Sequence, residues 1–214
     1  MTRLTSFLIL LLIVATNAWA QTPAKEFDAE KYDPPYSLTI PQGWDVERFG
    51  IPIEFAPSIP YKGVEDVRFA PGWSDAKSNS YWTYAFLWHL EGRPESNPQI
   101  IEKNLTAYYN GLVGRNIEKR NIPKDKLVQI KVKIKQTSTG KGDLQTYSGT
   151  IDMLDYMAQM PITLNCIVHI KLCPQEKNNT FIFYEISPRP PADNIWKELQ
   201  DLWTTFECSK ATSK

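Results

Sequence analysis

The feature that most constrains the fold is the segment SYWTYAFLWHLE at residues 80–91. Side chains along a β-strand point alternately to the two faces of a sheet, and in this segment both alternating sets are largely apolar or aromatic. A strand of this kind belongs at the centre of a sheet that is covered on both sides. The sequence therefore predicts a layered protein in which a sheet carries packing elements on each face.

Other segments on both sides of this one have the patterns of strands or short extended runs. They are bounded by turns rich in Gly, Pro, Asn and Ser, which interrupt regular pairing. Three precede the central segment, at residues 36–41, 51–55 and 64–69, and four follow it, at residues 127–136, 143–154, 161–173 and 180–186.

Two segments change to helical spacing. In the first, Asn97 is a suitable N-cap, Pro98 suits the first helical position, and Gly114 is placed to end the helix. The second begins near Asp193 and carries a wide apolar stripe formed by Ile195, Trp196, Leu199, Leu202, Trp203 and Phe206. The order of elements predicts the α+β class, with a central, mainly antiparallel sheet flanked by two main helices.

The first twenty residues predict an export signal. Arg3 supplies a positive charge, residues 7–14 are uninterruptedly apolar, and Ala18-Trp19-Ala20 is a small-x-small cleavage motif. The apolar run is shorter than the roughly 20 residues that span a bilayer. Cleavage is therefore the favoured interpretation, and a retained anchor is the alternative.

Cleavage at that motif sets the expected organisation of the mature chain. It begins at Gln21, continues as an exposed arm over residues 21–35, and forms one globular domain over residues 36–214. We expect no transmembrane segment in the mature chain, because no second apolar run is long enough. The predicted location is periplasmic or secreted.

Charge and motifs exclude several classes of function. The chain has 24 Lys and Arg against 24 Asp and Glu, so its formal net charge is 0, and we predict no nucleic-acid partner. It contains no Walker loop, dinucleotide fingerprint or Gly-x-Ser-x-Gly motif, and we expect no cofactor. His89 and Glu91 share a strand face, but no pair of His or Cys has ligand spacing, so we predict no metal site.

The three cysteines predict one disulfide. Cys166 lies within an alternating apolar strand and is expected to be a buried small side chain. Cys173 follows that strand and Cys208 follows the closing helix, so the two meet if the helix packs back on the sheet. Three free thiols are the alternative. A nucleophilic cysteine is not expected, because no base motif accompanies any of the three.

Residues 36–44, with the sequence YSLTIPQGW, resemble the opening of PsbP-like domains, in which an extended segment enters a Pro-x-Gly-Trp turn. The order of a mid-chain helix, antiparallel strands and a closing amphipathic helix is similar to that family too. The resemblance implies an α/β/α sandwich around an antiparallel sheet, as in uncharacterised exported bacterial proteins. It implies an accessory or binding module, and it carries over no catalytic residues.

Residues 61–75 concentrate polar and aromatic side chains, and this segment leads into the central strand. In the structural interpretation, Asp66 and Arg68 share one strand face and pair across strands, and Trp73 covers the core. In either case we expect Arg68 to be held by Asp66 or Glu65. The functional interpretation is that the segment borders the main pocket, with Arg68 meeting an anion and Trp73 forming an apolar wall. The candidate binding residues are Glu65, Asp66, Arg68, Trp73, Asp75, His89 and Glu91.

Three functions fit the sequence. The favoured one is a non-catalytic exported binding or accessory module, whose partner is an unidentified protein or small-molecule ligand. The second is a hydrolase in which carboxylates of residues 65–75 act with His89. The third is a carbohydrate-binding module that uses Trp73, Tyr81 and Trp82 as stacking platforms.

Overall fold

The computed structural model describes residues 27–209, so the predicted signal and its cleavage site lie outside the described residues. Within that range no helix is both long and apolar enough to cross a membrane. The described chain forms seven strands and two α-helices, with a short 3₁₀ turn at Lys124–Lys126: β1 Asp45–Ile51, β2 Gly63–Phe69, β3 Tyr84–Glu91, α1 Pro98–Lys119, β4 Lys131–Gln136, β5 Gln145–Asp155, β6 Met160–Lys171, β7 Asn179–Ser187 and α2 Ile195–Thr204.

The strands form one antiparallel sheet in the order β1-β2-β3-β7-β6-β5-β4. The predicted central strand, β3, pairs with β2 on one side and β7 on the other. Its inner residues Tyr84–Leu90 are buried except for His89, which is half-buried. The prediction of an α+β protein with an antiparallel sheet and two helices is therefore confirmed.

A separate apolar core lies on each face of the sheet. The larger core packs α1 against one face and includes Phe86, Trp88 and Tyr184 from the sheet. The smaller core packs α2 against the opposite face and includes Leu87 and Phe183. Alternate residues of β3 thus serve different cores, which is why both sets of positions in that strand are apolar.

Several predicted boundaries were wrong, and most of β1 was not predicted as a strand. The strands predicted over residues 80–91 and 127–136 begin only at Tyr84 and Lys131. Residues 36–41 form only an isolated bridge, between Ser37 and Glu207, because Arg68 takes up the carbonyls of Leu38 and Thr39. The run at 51–55 leaves the sheet after Ile51, since Pro52 has no N–H to donate to a ladder.

Gly114 does not end the first helix, which continues to Lys119. Beyond the glycine, Asn116 is buried and donates to the carbonyl of Leu112, and its own side chain accepts from Arg120. Burial of Asn116 and these local contacts outweigh the cost of about 1 kcal/mol that a glycine adds inside a helix. The predicted N-cap is confirmed, since the side chain of Asn97 accepts from the N–H of Ile100.

The predicted disulfide joins Cys173 to Cys208, with a Cα–Cα distance of 5.5 Å. It ties the segment after α2 to the end of β6, close to the smaller core. Cys166 is free and buried, as predicted, and burial raises the pKa of its thiol to about 12. A disulfide is typical of proteins in oxidising, extracytoplasmic compartments.

Opening this disulfide is expected to lower the free energy of unfolding by about 3 to 4 kcal/mol, because the link restricts the unfolded chain over a sequence separation of 35 residues. Urea unfolding of the oxidised protein with and without dithiothreitol measures the loss. The Cys208→Ala variant is the control, and dithiothreitol should not weaken it further. The prediction would be contradicted if dithiothreitol left the urea unfolding midpoint of the oxidised protein unchanged.

Candidate ligand-binding site

The predicted site residues do not face one cavity. In β2, Glu65 points to the α1 face, where it bonds to Tyr108 of α1. Its neighbour Asp66 points to the α2 face, where it bonds to Tyr36, a member of the smaller core. The expectation of one shared pocket is therefore corrected, since consecutive residues of a strand alternate between faces.

Asp66 and Arg68 form a buried ionic cluster. Both carboxylate oxygens of Asp66 accept from Arg68, while Arg48 Nε lies 3.0 Å from Oδ1 and the Tyr36 hydroxyl donates to Oδ2. The guanidinium of Arg68 also donates to the carbonyls of Leu38, Thr39 and Val67. Its hydrogen bonds are thus used within the protein, and its position does not suit the expected contact with a ligand anion.

The other polar candidates are also separated. His89 lies on the α2 face, stacks on Phe181 at 4.7 Å and contacts the Tyr32 hydroxyl at 3.3 Å. Burial lowers the pKa of His89. Its nearest carboxylate contact is Glu176 at 4.0 Å, and in the described chain it bonds to no carboxylate of residues 65–75. Asp75 accepts from the N–H of Lys77 in an exposed turn.

Glu65 is fully buried beneath α1. Its two oxygens accept from the Tyr108 hydroxyl at 2.7 Å and from Trp88 Nε1 at 2.8 Å. Among the described residues it has no cationic partner, and burial raises the pKa of its carboxyl to about 8. These contacts join β2, β3 and α1 through one side chain.

A cavity of about 950 Å³ lies between the outer strands of the sheet and the C-terminal half of α1. Strands β1 to β3 supply its floor, α1 its roof, and the turn at residues 52–55 one side. At that side Gly111 of α1 touches the carbonyl of Phe55 so closely that an added Cβ would lie 1.7 Å from the oxygen. The cavity has nine aromatic side chains in its wall: Phe27, Phe49, Phe55, Phe69, Trp73, Trp82, Tyr84, Tyr108 and Tyr156.

Trp73 and Trp82 form an aromatic corner of this cavity. Trp73 is half-buried and stacks on Phe69 at 4.4 Å, and its ring meets Trp82 edge-on at 6.4 Å. Trp82 adopts a left-handed backbone conformation, with φ of 55°, which is uncommon for a bulky residue. Within the described chain its buried Nε1 makes no hydrogen bond, and burial raises the pKa of the neighbouring Tyr81 hydroxyl.

Charged groups lie mainly at the mouth of the cavity. Burial raises the pKa of Tyr108 and Tyr156 in the cavity wall, and the charge of Glu47, which is exposed on β1, adds a smaller contribution in the same direction. Arg115 of α1 lies over the ring of Phe55, 5.0 Å from the ring centre. Of the predicted site residues, Trp73 and Glu91 are the two that line this cavity. The arrangement suits an apolar ligand that is held by rings inside and meets polar groups at the entrance.

A polar cluster on the opposite face was missed at the sequence level. His169 Nδ1 lies 2.7 Å from Asp143, and its Nε2 lies 3.2 Å from Glu185. Hydrogen bonds to these carboxylates outweigh burial and raise the pKa of His169, while bonds from His169 lower that of Asp143. Burial raises the pKa of Glu185. The three residues are far apart in sequence, and the alternation around His169 indicated only a surface or half-buried strand position.

Comparisons of this chain with protein-family models, with curated proteins and with solved structures find no match. The fold class of the protein is therefore defined by its structure alone. It is an α/β/α sandwich around a seven-stranded antiparallel sheet, with an aromatic cavity between the sheet and the longer helix.

Proposed function

We propose that the protein is an exported, non-catalytic binding module that holds a small apolar, ring-bearing molecule in the aromatic cavity. The observation that carries the proposal is the cavity of about 950 Å³ with nine aromatic side chains in its wall. Small-molecule sites are concave, mostly apolar, and enclose about 300 to 1,000 Å³. The cavity is concave, its volume lies in this range, and aromatic rings form much of its wall. Trp82 Nε1, which has no hydrogen-bond partner within the described chain, offers a donor to an acceptor on the ligand.

The contacts of the polar residues favour binding over catalysis. A hydrolase of the kind considered requires a carboxylate and His89 within reach of one bond. Glu65 is enclosed by Tyr108 and Trp88, and Asp66 is neutralised by two arginines, so neither carboxylate is available as a base.

The same geometry disfavours Trp73, Tyr81 and Trp82 as a flat platform for sugar rings. Trp82 is buried, with 1% of its surface exposed. The Tyr81 hydroxyl donates to Asp155 at 2.6 Å, which ties Tyr81 to the end of β5. Trp73 meets Trp82 edge-on rather than in one plane. Stacking against a flat sugar ring requires exposed and roughly coplanar faces.

Export and family membership form part of the proposal. The disulfide supports an oxidising compartment, and the N-terminal residues carry the predicted signal. The two-sided sandwich is the architecture that the resemblance to PsbP-like domains implies, and such domains are mostly accessory or binding modules. We therefore propose that the mature protein begins at Gln21 and functions in the periplasm or outside the cell.

The test uses N-phenyl-1-naphthylamine, a neutral probe that fluoresces in apolar surroundings. We expect saturable binding of one probe per chain, and we expect Leu112→Trp, which fills the cavity from α1, to weaken binding by about tenfold or more. Leu144→Trp is the matched control, because Leu144 is exposed and outside the cavity wall. Absence of saturable binding, or equal binding by both variants, would refute the proposal.

A further inference from the structure

The outer edge of β1 presents main-chain groups that no neighbouring strand uses. β1 is the last strand on its side of the sheet and pairs with β2 alone. The N–H of Glu91 donates to the carbonyl of Lys62, just before β2, and antiparallel strands alternate between bonded and non-bonded pairs. The even-numbered residues of β2 therefore bond to β3, and its odd-numbered residues bond to the odd-numbered residues of β1. The N–H and C=O groups of Val46, Arg48 and Gly50 consequently point outward.

These outward groups have no hydrogen-bond partner within residues 27–209. The opposite edge of the sheet differs in this respect. There the N–H of Ile134 in β4 points outward as well, but the carboxylate of Glu102 in α1 accepts from it. A strand edge with unpaired main-chain groups is a template for an extended chain, which brings a matching row of donors and acceptors.

The aromatic cavity opens along this same edge. Residues 47–55, which comprise most of β1 and the turn after it, all line the cavity. They include Arg48 and Gly50, whose main-chain groups point outward, and Phe49, whose ring packs on the α1 side. The Arg48 side chain is held on the α2 side, where its Nε lies 3.0 Å from Asp66. The open edge and the cavity are therefore two parts of one groove.

The register of β1 decides which side chain of an added strand would enter the cavity. Such a strand would lie about 4.8 Å from β1, and residues directly opposite each other in an antiparallel pair share a face. A residue opposite Phe49 would point to the α1 face, where Phe55 and Leu112 line the cavity. Its two neighbours would bond to Arg48 and Gly50 and would point to the other face.

We propose that the outer edge of β1 binds an extended peptide segment, and that the aromatic cavity receives one large aromatic side chain of that segment. The main-chain groups of β1 give affinity for an extended backbone, and the cavity gives the preference for a ring. The proposal rests on the cavity that carries the proposed function and adds a class of partner to it. A small ring-bearing molecule and the peptide side chain compete for the same space.

Isothermal titration calorimetry with the peptide acetyl-Lys-Thr-Val-Phe-Val-Thr-Lys-amide tests the proposal. We expect saturable binding of one peptide per chain, with a dissociation constant below about 1 mM, and displacement by N-phenyl-1-naphthylamine. Replacing the phenylalanine of the peptide by alanine removes the ring. N-methylation of both valines removes the N–H groups that pair with β1. Each change should weaken binding about tenfold or more.

N-methylation of the phenylalanine is the matched control, because the N–H of that residue points away from β1. It should leave the affinity within about threefold of that of the unmodified peptide. Equal losses from N-methylation at the valines and at the phenylalanine would overturn the proposal, since the peptide would then not pair as a strand.

Val46→Pro tests the same pairing from the protein, since proline removes one outward N–H and leaves the bonds to β2 in place. It should weaken peptide binding about fivefold or more and leave the binding of N-phenyl-1-naphthylamine unchanged. Val132→Pro is the matched control, because Val132 has the corresponding outward position in β4 and lies outside the cavity wall.

The outcomes separate this proposal from the proposed function. If N-phenyl-1-naphthylamine binds and the peptide does not, the peptide site is refuted and the ligand cavity stands; if neither binds, both are refuted. Equal peptide binding by Val46→Pro and Val132→Pro also overturns the proposal. A concentration-dependent dimer that Val46→Pro abolishes, without peptide binding, would assign the edge to a second copy of the chain and overturn it as well.

Discussion

The free energy of unfolding of the natural protein is expected to fall by about 3 to 5 kcal/mol as the pH rises from about 4.5 to about 8, and the Glu65→Gln variant is expected not to show this fall. Burial raises the pKa of Glu65 from 4.5 to about 8, so the folded protein holds this proton more tightly than the unfolded chain does. The resulting stability is fully present below the unfolded pKa. It is lost as the pH rises through the folded one.

The variant retains the shape of the side chain and has no charge to bury. Its amide oxygen can accept from Trp88 Nε1 while its amide N–H donates to the hydroxyl of Tyr108. Urea unfolding at several pH values should show both proteins similar near pH 4.5 and the variant more stable above pH 8. Glu198→Gln, at an exposed position of α2, is the control and should follow the natural protein throughout. A constant difference between Glu65→Gln and the natural protein would contradict the prediction.

Arg68→Met is expected to lower the free energy of unfolding by about 3 to 5 kcal/mol, the usual cost of breaking one side of a buried ion pair. The substitution leaves the carboxylate of Asp66, which has no exposed surface, with Arg48 as its one remaining cation among the described residues. It also removes the donors that fix the carbonyls of Leu38 and Thr39.

Arg48→Met is the matched control, because it removes the other arginine that contacts Asp66. Its side chain is 22% exposed and contacts the carboxylate through one nitrogen, so its loss should cost under about 2 kcal/mol. The midpoints of urea unfolding at neutral pH measure both effects. Equal losses of unfolding free energy in the two variants would show that the contacts of Arg68 with the carbonyls of Leu38 and Thr39 do not stabilise the fold as described.

The fold could be predicted because its strongest signals are local. Alternation in β3 indicated a central strand with two covered faces, and spacing in α2 indicated a helix with one wide packing stripe. The disulfide followed from these elements, since a helix that packs on the sheet brings Cys208 to the end of β6. The boundary at Gly114 failed because contacts made beyond the glycine decide where that helix ends.

The candidate site was harder to predict, and part of the error was avoidable. Alternation alone places Glu65 and Asp66 on opposite faces of β2, so one pocket was never compatible with a regular strand there. Arg68 was expected to be held by Asp66 or Glu65, and the structure pairs it with Asp66. The aromatic cavity had no local signal, because its wall combines residues as distant in sequence as Phe49, Leu112 and Tyr156.

The most direct test of ligand binding in the aromatic cavity is a crystal structure of the protein soaked with 1-bromonaphthalene. The bromine marks the position of the ligand by anomalous scattering, independently of any change in fluorescence or stability. We predict an ordered bromine peak inside the cavity, between the aromatic corner of Trp73 and Trp82 and the roof formed by Leu112. A cavity without bound ligand, with bromine only elsewhere on the protein or at crystal contacts, would contradict the proposed function.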